Sequence, residues 1–250
     1  MVYVTGDLHG EIDIHKLTRT TQRKNLYKSD AAKVQMPGKG DFLIICGDFG
    51  LVWYDENETG YKQQKYWLDW VTKQPYTTLF VDGNHENFAL LNAYPKTRWH
   101  GGVVQKITPK VYHLMRGYVY NIDGSTFFAF GGASSHDKQY RTEGYSWWPE
   151  ELPMQCEIAR AKKNLAKCGY NVDYVITHCS TTAVQRGLRP TYPIDDLNLF
   201  FDELDSKLTY TRWYNGHYHE DTDIGKHSIL YYKIVAVPTG KQCKCSGSLQ

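Results

Sequence analysis

Polar residues that can bind a metal ion follow several apolar segments of this sequence. The tetrapeptide Gly83-Asn84-His85-Glu86 comes directly after the apolar residues 79–81, where we expect a buried strand to open into a loop. Asn84 offers a hard oxygen ligand, and His85 beside it is free to move a proton. The tetrapeptide alone is a weak motif, but four other apolar segments also end in Asp, His or both.

Seven candidate metal ligands stand at the five predicted strand ends: Asp7, His9, Asp48, Asn84, His178, His217 and His219. Histidine makes up 10 of the 250 residues, so one histidine at a chosen position would be unremarkable. Histidine or aspartate at every one of five strand ends is not explained by chance. Because the seven offer oxygen or nitrogen and no thiolate, they favour two divalent ions of the Mn, Fe or Zn kind. For Asp7 and His9 alone, the alternative is a turn whose aspartate caps the next helix.

Strands must carry these residues to one place. The pattern predicts buried strands at 2–5, 42–46, 78–81 and 174–177, and a further segment at 212–215 leads to Gly216. Ligands in open α/β sheets collect at the carboxyl ends of strands, so we expect the polar residues to share one edge. Consecutive strands are predicted at 111–114, 118–122 and 125–130, with Asp123-Gly124 as a hairpin signal between the last two.

Helices are predicted between the strands. They cover 11–26, 60–73, 87–94 and 154–168, and Asp195 caps another amphipathic helix. Residues 179–193 show an irregular pattern, and a final strand pair is predicted near 229–237.

Composition narrows the class of protein. The chain has 250 residues, 41% hydrophobic and 22% charged, which is typical of a globular protein with a full core. The net charge of +2 gives no basic field for nucleic acid. No apolar segment approaches the ~20 residues of a membrane helix, and no signal peptide pattern is present. The six scattered cysteines fit reduced thiols, so we expect a cytoplasmic protein.

The order of the ligand blocks resembles that of the calcineurin-like metallophosphoesterase superfamily. The blocks are Asp7-x-His9, Gly47-Asp48, Gly83-Asn84-His85-Glu86, His178 and Gly216-His217-x-His219. They span nearly the whole chain, and five blocks in the correct order make the match specific. The resemblance implies an α/β fold, a four-layer α/β/β/α sandwich of two mixed β-sheets flanked by helices. It also implies a single domain over residues 1–250, with about 241–250 as a loose tail.

The resemblance gives each block a role. Asp7, His9 and His219 would hold a first metal ion, and Asn84, His178 and His217 a second. Asp48 would bridge the two ions, and His85 would be the general acid near the leaving oxygen. These residue types support hydrolysis of a phosphomonoester or phosphodiester by attack of a metal-bound hydroxide.

The second block departs from the pattern of the Ser/Thr protein phosphatases, which reads Gly-Asp-x-x-Asp-Arg-Gly. Here the residues after Gly47-Asp48 are Phe49, Gly50, Leu51 and Val52. The aspartate that orients the catalytic histidine and the arginine that binds phosphate are therefore missing. The chain is closer to small bacterial or phage-type members of the superfamily. Lys138, Arg141 and Arg186 are the candidate phosphate contacts, with solvated surface charges as the alternative for Lys138 and Arg141.

The sequence leaves three functions open. The first is a dinuclear metal-dependent phosphoesterase acting on a small phosphate ester or a nucleotide. The second is a superfamily member that binds a nucleotide or partner without turnover, against which the complete ligand set argues. The third is a nuclease or nucleotide phosphodiesterase, although the near-neutral charge disfavours extended nucleic acid. No membrane partner is expected.

Overall fold

The computed structural model describes residues 1–18 and 37–240. Thirteen strands lie within these residues: β1 Val2–Thr5, β2 Phe42–Ile45, β3 Thr77–Phe80, β4 Lys96–Trp99, β5 Gly102–Thr108, β6 Val111–Leu114, β7 Tyr118–Ile122, β8 Ser125–Phe130, β9 Tyr174–Thr177, β10 Arg212–Asn215, β11 Thr222–Ile224, β12 His227–Ile229 and β13 Ile234–Val237. The α-helices of the same residues are α1 Tyr61–Thr72, α2 Phe88–Ala93, α3 Gln155–Lys167, α4 Thr182–Leu188 and α5 Asp196–Lys207. Short 3-10 helices occupy Ile14–Leu17, Lys138–Tyr140 and Pro149–Glu151.

The strands form two mixed sheets. The seven-stranded sheet has the order β13-β1-β2-β3-β6-β5-β4, and the six-stranded sheet has the order β11-β12-β10-β9-β8-β7. Strands β1, β2 and β3 run parallel, with Thr5 beside Ile45 and Ile45 beside Phe80. Strands β9 and β10 run parallel in the second sheet. The carboxyl ends of the strands that precede the candidate ligands are therefore aligned within each sheet.

Three apolar clusters separate four layers. Val4 and Ile44 of the first sheet pack with Ile176 of the second in the cluster between the sheets. The opposite face of the first sheet, including Tyr3, packs against helix α1. The opposite face of the second sheet packs against α3 and α5. Successive side chains of a strand point to opposite faces, and both faces here are covered, which explains the continuous apolar segments. The predicted α/β/β/α sandwich is confirmed.

Some predicted elements differ from the structure. Of the helix predicted at 11–26, the described part contains only the 3-10 helix Ile14–Leu17, and residues 19–36 lie outside the described residues. The prediction of an irregular segment at 179–193 is wrong, because it contains α4, a helix too short to show a clear period. The final strand pair is also wrong, because β12 pairs with β10 and β13 pairs with β1.

The sequence also predicts a hairpin at Asp123-Gly124 and no membrane-spanning helix. The hairpin at Asp123-Gly124 is confirmed, since β7 and β8 pair antiparallel and both turn residues have positive φ, 51° and 80°. None of the helices in the described residues is both long enough and apolar enough to cross a membrane. The predicted loose tail at 241–250 lies outside the described residues.

A cluster of buried charged residues connects the end of β3 to neighbouring segments, just before the candidate ligand Asn84. Asp82 accepts hydrogen bonds from Arg116 Nε at 2.8 Å and contacts His113 Nε2 at 3.0 Å. Arg116 also donates to the backbone carbonyl oxygen of Glu150 at 2.7 Å. Burial would raise the pKa of Asp82, but Arg116 and His113 outweigh it and hold that pKa well below its usual range. The cluster thus ties the third strand end to residues 131–151, a long connecting segment.

Replacement of Asp82 by alanine should lower the free energy of unfolding by about 3 kcal/mol, because the buried Arg116 loses its fully buried partner and keeps only Glu157, 3.2 Å away, as a charged partner. Urea unfolding in excess chelator measures this without a contribution from bound metal. The matched control is Asp69→Ala in the exposed pair Lys65–Asp69, 3.5 Å apart, which should cost at most about 1 kcal/mol. Equal losses in the two variants would contradict the prediction.

Candidate metal centre

The carboxyl ends of five strands deliver the candidate ligands to one place. Asp7 and His9 follow β1, Asp48 follows β2, Asn84 follows β3, His178 follows β9, and His217 and His219 follow β10. His178 Nε2 lies 3.3 Å from Asp48 Oδ1, and His219 Nε2 lies 3.2 Å from Asp7 Oδ2. Each of these contacts joins a residue of the first sheet to one of the second. The structure brings all seven side chains into a single cluster.

Two groups can be distinguished within the cluster. In the first group, Asp7, His9 and His219 present one ligand atom each, and these atoms lie within 4.8 Å of one another. In the second group, His178 Nε2 lies 3.2 Å from Asn84 Oδ1, and the rings of His178 and His217 are 5.0 Å apart. Each group offers three donors of the oxygen and nitrogen types that divalent transition metals bind.

Asp48 lies between the two groups. Its Oδ2 atom is 3.3 Å from His9 Nε2 and its Oδ1 atom is 3.3 Å from His178 Nε2. The same Oδ1 atom accepts a hydrogen bond from the backbone N–H of His85 at 2.8 Å. One carboxylate thus faces a nitrogen of each group, which is the arrangement that a bridging ligand requires.

The backbone at the site is held in an uncommon conformation. His9, Asp48, His217 and His219 have φ of 47°, 48°, 69° and 51°, in the left-handed region that non-glycine residues rarely adopt. Hydrogen bonds hold these turns: the carbonyl oxygen of Asp48 accepts from the backbone N–H of His9 at 2.7 Å, and Asp7 Oδ1 accepts from that of His217 at 2.9 Å. Left-handed residues of this kind cluster at functional sites, where the surrounding structure offsets their cost of about 1–3 kcal/mol each.

Two glycines allow the ligands to approach each other. A Cβ atom at Gly83 would lie 2.0 Å from Asp48 Oδ1, and a Cβ atom at Gly216 would lie 2.0 Å from Asp7 Oδ1. Any larger residue would therefore displace a carboxylate. The glycines of the sequence motifs are required by packing against the ligands of neighbouring strands.

Hydrogen bonds orient two of the imidazoles. His9 Nδ1 contacts Asp13 Oδ2 at 2.7 Å, and His178 Nδ1 lies 2.7 Å from the carbonyl oxygen of Cys46. A carbonyl oxygen only accepts, so His178 donates through Nδ1 and its neutral form presents the lone pair of Nε2 to the site. Contacts of this kind fix the tautomer and orientation of metal-binding histidines.

A chain of hydrogen bonds orients Asn84. Its Nδ2 donates to Ser135 Oγ at 3.2 Å, and Ser135 Oγ donates to Glu151 Oε1 at 2.9 Å. Glu151 is fully buried, and Lys138 Nζ lies 3.3 Å from its Oε2 atom. Because the amide nitrogen faces Ser135, the amide oxygen of Asn84 faces His178.

The charges of the site favour a cation. Burial would raise the pKa of Asp48, but His178 and His85 outweigh it and hold that pKa well below its usual range. Burial would lower the pKa of His178, yet Asp48 raises it to about 9. His217 behaves in the opposite way, because burial and the neighbouring His178 lower its pKa to about 3. A field that stabilises positive charge beside a neutral imidazole fits the binding of divalent ions.

His85 lies at the edge of this cluster with Arg141. Arg141 Nη1 is 3.4 Å from His85 Nδ1, and Arg141 is itself held by Asp137 Oδ1 at 2.7 Å and by the carbonyl oxygen of Ser146 at 3.1 Å. A guanidinium can only donate, so His85 Nδ1 accepts and the neutral ring carries its proton on Nε2. Burial lowers the pKa of His85, with Asp48 opposing this effect and Arg141 adding to it.

The three cations considered as phosphate contacts occupy different positions. Arg141 reaches the site at His85. Lys138 pairs with the buried Glu151 and lies over the ring of Trp147, 4.7 Å from its centre. Arg186 is exposed in the last turn of α4, and none of the side-chain hydrogen bonds or ion pairs among the described residues involves it.

Sequence reasoning missed Asp13, Ser135 and Glu151 as supports of the site. The spacing of His9 and Asp13, four residues apart, was a usable signal, because such pairs meet on one face of a helical turn. No comparable signal marks Ser135 and Glu151, since they meet Asn84 only through the tertiary fold.

Replacement of Ser135 by alanine should weaken metal binding by roughly 10- to 100-fold, because Asn84 loses the acceptor that orients its amide. Activity measured against manganese concentration reports this change as a shift in the half-saturating concentration. Ser206→Ala is the matched control, because Ser206 is exposed on α5 and bonds only locally to the carbonyl oxygen of Glu203. An unchanged manganese dependence in Ser135→Ala would contradict this role.

Comparison with known proteins agrees with the geometry. A search of curated proteins found no match to this chain. The model of the calcineurin-like phosphoesterase family matches residues 1–221, which include every candidate ligand. The chain therefore belongs to the calcineurin-like phosphoesterase family.

Proposed function

We propose that this protein hydrolyses a phosphomonoester or phosphodiester with two divalent cations held by the seven clustered side chains. The observation that carries the proposal is the position of Asp48, with one carboxylate oxygen 3.3 Å from His9 Nε2 and the other 3.3 Å from His178 Nε2. Phosphoester hydrolysis that depends on a metal is the general activity of the family to which the chain belongs.

Each group of ligands would hold one ion. Asp7, His9 and His219 would bind the first, Asn84, His178 and His217 the second, and Asp48 would contact both. A bound pair of divalent cations supplies Lewis-acid activation of water and neutralises charge on the phosphoryl group. The buried carboxylates and oriented imidazoles are fixed in place before substrate arrives, so binding needs little rearrangement.

His85 and Arg141 would act on the substrate itself. Arg141 carries a fixed positive charge at the edge of the cluster, where it can donate hydrogen bonds to a phosphate oxygen. Its contact is with His85 Nδ1, so Nε2 is the ring nitrogen that can face the leaving oxygen. We assign to His85, in its protonated imidazolium form, the transfer of a proton to the leaving oxygen, so the ring ends neutral and the ester oxygen departs as an alcohol. Arg141 thus contacts the Nδ1 atom of His85, and it does so as a donor, whereas an aspartate would accept.

The two alternative functions have weaker support. A binding protein without turnover would not require the whole ligand set and an additional oriented imidazole at His85. A nuclease acting on long substrates would need basic residues that follow a phosphate backbone. The segment that follows β2 carries instead the exposed acidic side chains of Asp55 and Glu56 and the half-buried Glu58.

Hydrolysis of two model esters tests the proposal. Protein freed of metal by chelator is assayed with p-nitrophenyl phosphate and bis(p-nitrophenyl) phosphate, before and after addition of manganese, iron or zinc. We expect turnover only with added metal, and the ratio of the two rates defines the preference for monoesters or diesters. Metal-loaded protein that cleaves neither ester, or chelated protein that keeps full activity, would contradict the proposal.

A further inference from the structure

A cavity of about 220 Å³ opens beside the candidate metal centre. His9 and His85 line it together with the segment that follows β2, including Trp53 and Tyr54. Because the proposed proton donor His85 lines the cavity, the leaving group of a bound ester would extend into it.

The wall of this cavity is apolar and aromatic. Besides Trp53 and Tyr54 it contains Leu51 and Ile12, and Ile12 is 75% exposed although it is a large apolar residue. No Lys or Arg is among the lining residues in the described part of the chain. Glu11 also lines the cavity, and the acidic turn at residues 55–58 follows Tyr54 directly.

The aromatic wall is held in position before any ligand arrives. Gln64 Oε1 accepts hydrogen bonds from the backbone N–H groups of Trp53 at 2.6 Å and Tyr54 at 2.8 Å. Asn87 Nδ2 donates to the carbonyl oxygen of Trp53 at 2.9 Å. The indole of Trp53 packs edge-on against the buried Trp148, with ring centres 5.4 Å apart. A fixed aromatic surface binds a flat ring at little cost in conformational entropy.

We propose that this cavity binds a single aromatic or heteroaromatic ring carried by the leaving alcohol of the substrate, as in a nucleoside monophosphate. The inference rests on the proposed function and adds to it the substrate class. Stacking on an aromatic side chain is available to any flat ring, because each has a π-face. The volume is below the 300–1,000 Å³ of drug-sized ligand sites, so one ring system fills it.

The charges of the lining residues disfavour a polyphosphate or a longer polynucleotide in the same cavity. A second phosphate on the leaving group would lie near Glu11, and within the described part of the chain no lining residue is a Lys or Arg that could pair with it. The ring is therefore expected to be uncharged and to carry no further phosphate.

The test compares adenosine 5′-monophosphate with glycerol 1-phosphate, each also as its methyl ester so that a monoesterase and a diesterase are both covered. Both alcohols are primary, so the chemical step is alike and only the ring differs. In the manganese-loaded protein, we expect Trp53→Ala to lower kcat/KM for the adenosine ester roughly 10- to 100-fold and to leave the glycerol ester within about twofold. Trp53→Phe, which keeps a ring, should retain most of the preference.

A second measurement does not depend on turnover. Adenosine, which has no phosphate, should bind to the wild-type protein in calorimetry and lose that affinity in Trp53→Ala. The control Tyr66→Ala removes an exposed ring of α1 that does not line the cavity, and it should change neither measurement.

The outcomes separate this inference from the proposed function. Equal kcat/KM for the two esters in the wild-type protein, or equal losses for both in Trp53→Ala, would overturn the ring site and leave phosphoesterase activity standing. Failure to cleave these esters and the p-nitrophenyl esters would overturn the proposed function. In that case the binding of adenosine, and its loss in Trp53→Ala, would alone decide whether the ring site exists.

Discussion

Replacement of His85 by alanine will lower kcat for an alkyl phosphate ester by about 10²–10⁴-fold and leave the metal content unchanged. The imidazole of His85 lies at the edge of the cluster of candidate ligands, and Arg141 Nη1 lies 3.4 Å from its Nδ1 atom. Its loss removes a proton donor and none of the seven clustered ligands. Elemental analysis of the purified variant, together with steady-state kinetics, measures the two effects separately.

The dependence on leaving group makes this prediction specific to proton transfer. p-Nitrophenolate departs without a proton, whereas an alkoxide needs one, so His85→Ala should impair an alkyl ester far more than p-nitrophenyl phosphate. Equal losses for both esters would assign His85 to phosphate binding instead of acid catalysis. His15→Ala is the control, because His15 is exposed on the 3-10 helix Ile14–Leu17 and should leave both rates unchanged.

The strands that precede the candidate ligands could be predicted from the sequence because burial on both faces makes most of them continuous apolar segments, whereas β4, β5 and β11 were not predicted. β9 at Tyr174–Thr177 and β8 at Ser125–Phe130 match their predicted bounds for this reason. The ligands were visible because each follows such a segment directly. Helix α4 was not visible, since seven residues including Gly187 give too little periodicity.

Partners distant in sequence could not be predicted. Ser135 lies 51 residues from Asn84, and Glu151 lies a further 16 residues along the chain. Nothing in their local pattern separates a buried glutamate that orients a ligand from one on the surface. The left-handed backbone at Asp48 and His217 could not be predicted either. The sequence shows which residues form a turn, but it does not show the tertiary contacts that stabilise the positive φ.

The segment 131–151 explains how a family member without the usual second block can retain an oriented histidine. It carries Ser135, Arg141 and Glu151, and Arg116 binds the carbonyl oxygen of Glu150 while it pairs with Asp82. The buried pair of Asp82 and Arg116 thus joins the residues after β3 to the segment 131–151, which supports both Asn84 and His85. We infer that stability and site geometry are coupled at this point.

Replacement of Asp48 by asparagine should reduce the binding of both metal ions. Loss of a group that merely orients a ligand costs about 10- to 100-fold in affinity or activity, and we expect the loss at Asp48 to exceed that range. The physical reason is its position: the two carboxylate oxygens face His9 and His178, one from each group. Asparagine keeps the shape but removes the negative charge that would lie between the two proposed cations.

Asp7→Asn is the comparison that separates a bridging carboxylate from an ordinary ligand. Asp7 contacts His219 Nε2 at 3.2 Å within the first group. Its contact with His178, at 3.5 Å, is to Nδ1, the nitrogen that donates to the carbonyl oxygen of Cys46, so replacement of Asp7 should mainly lower the occupancy of one ion. Elemental analysis at a fixed, low metal concentration should give a larger loss of metal for Asp48→Asn than for Asp7→Asn. If Asp48→Asn kept two ions per chain, Asp48 would be a neighbour of the ions and not their common ligand, and the two groups would have to be regarded as independent sites.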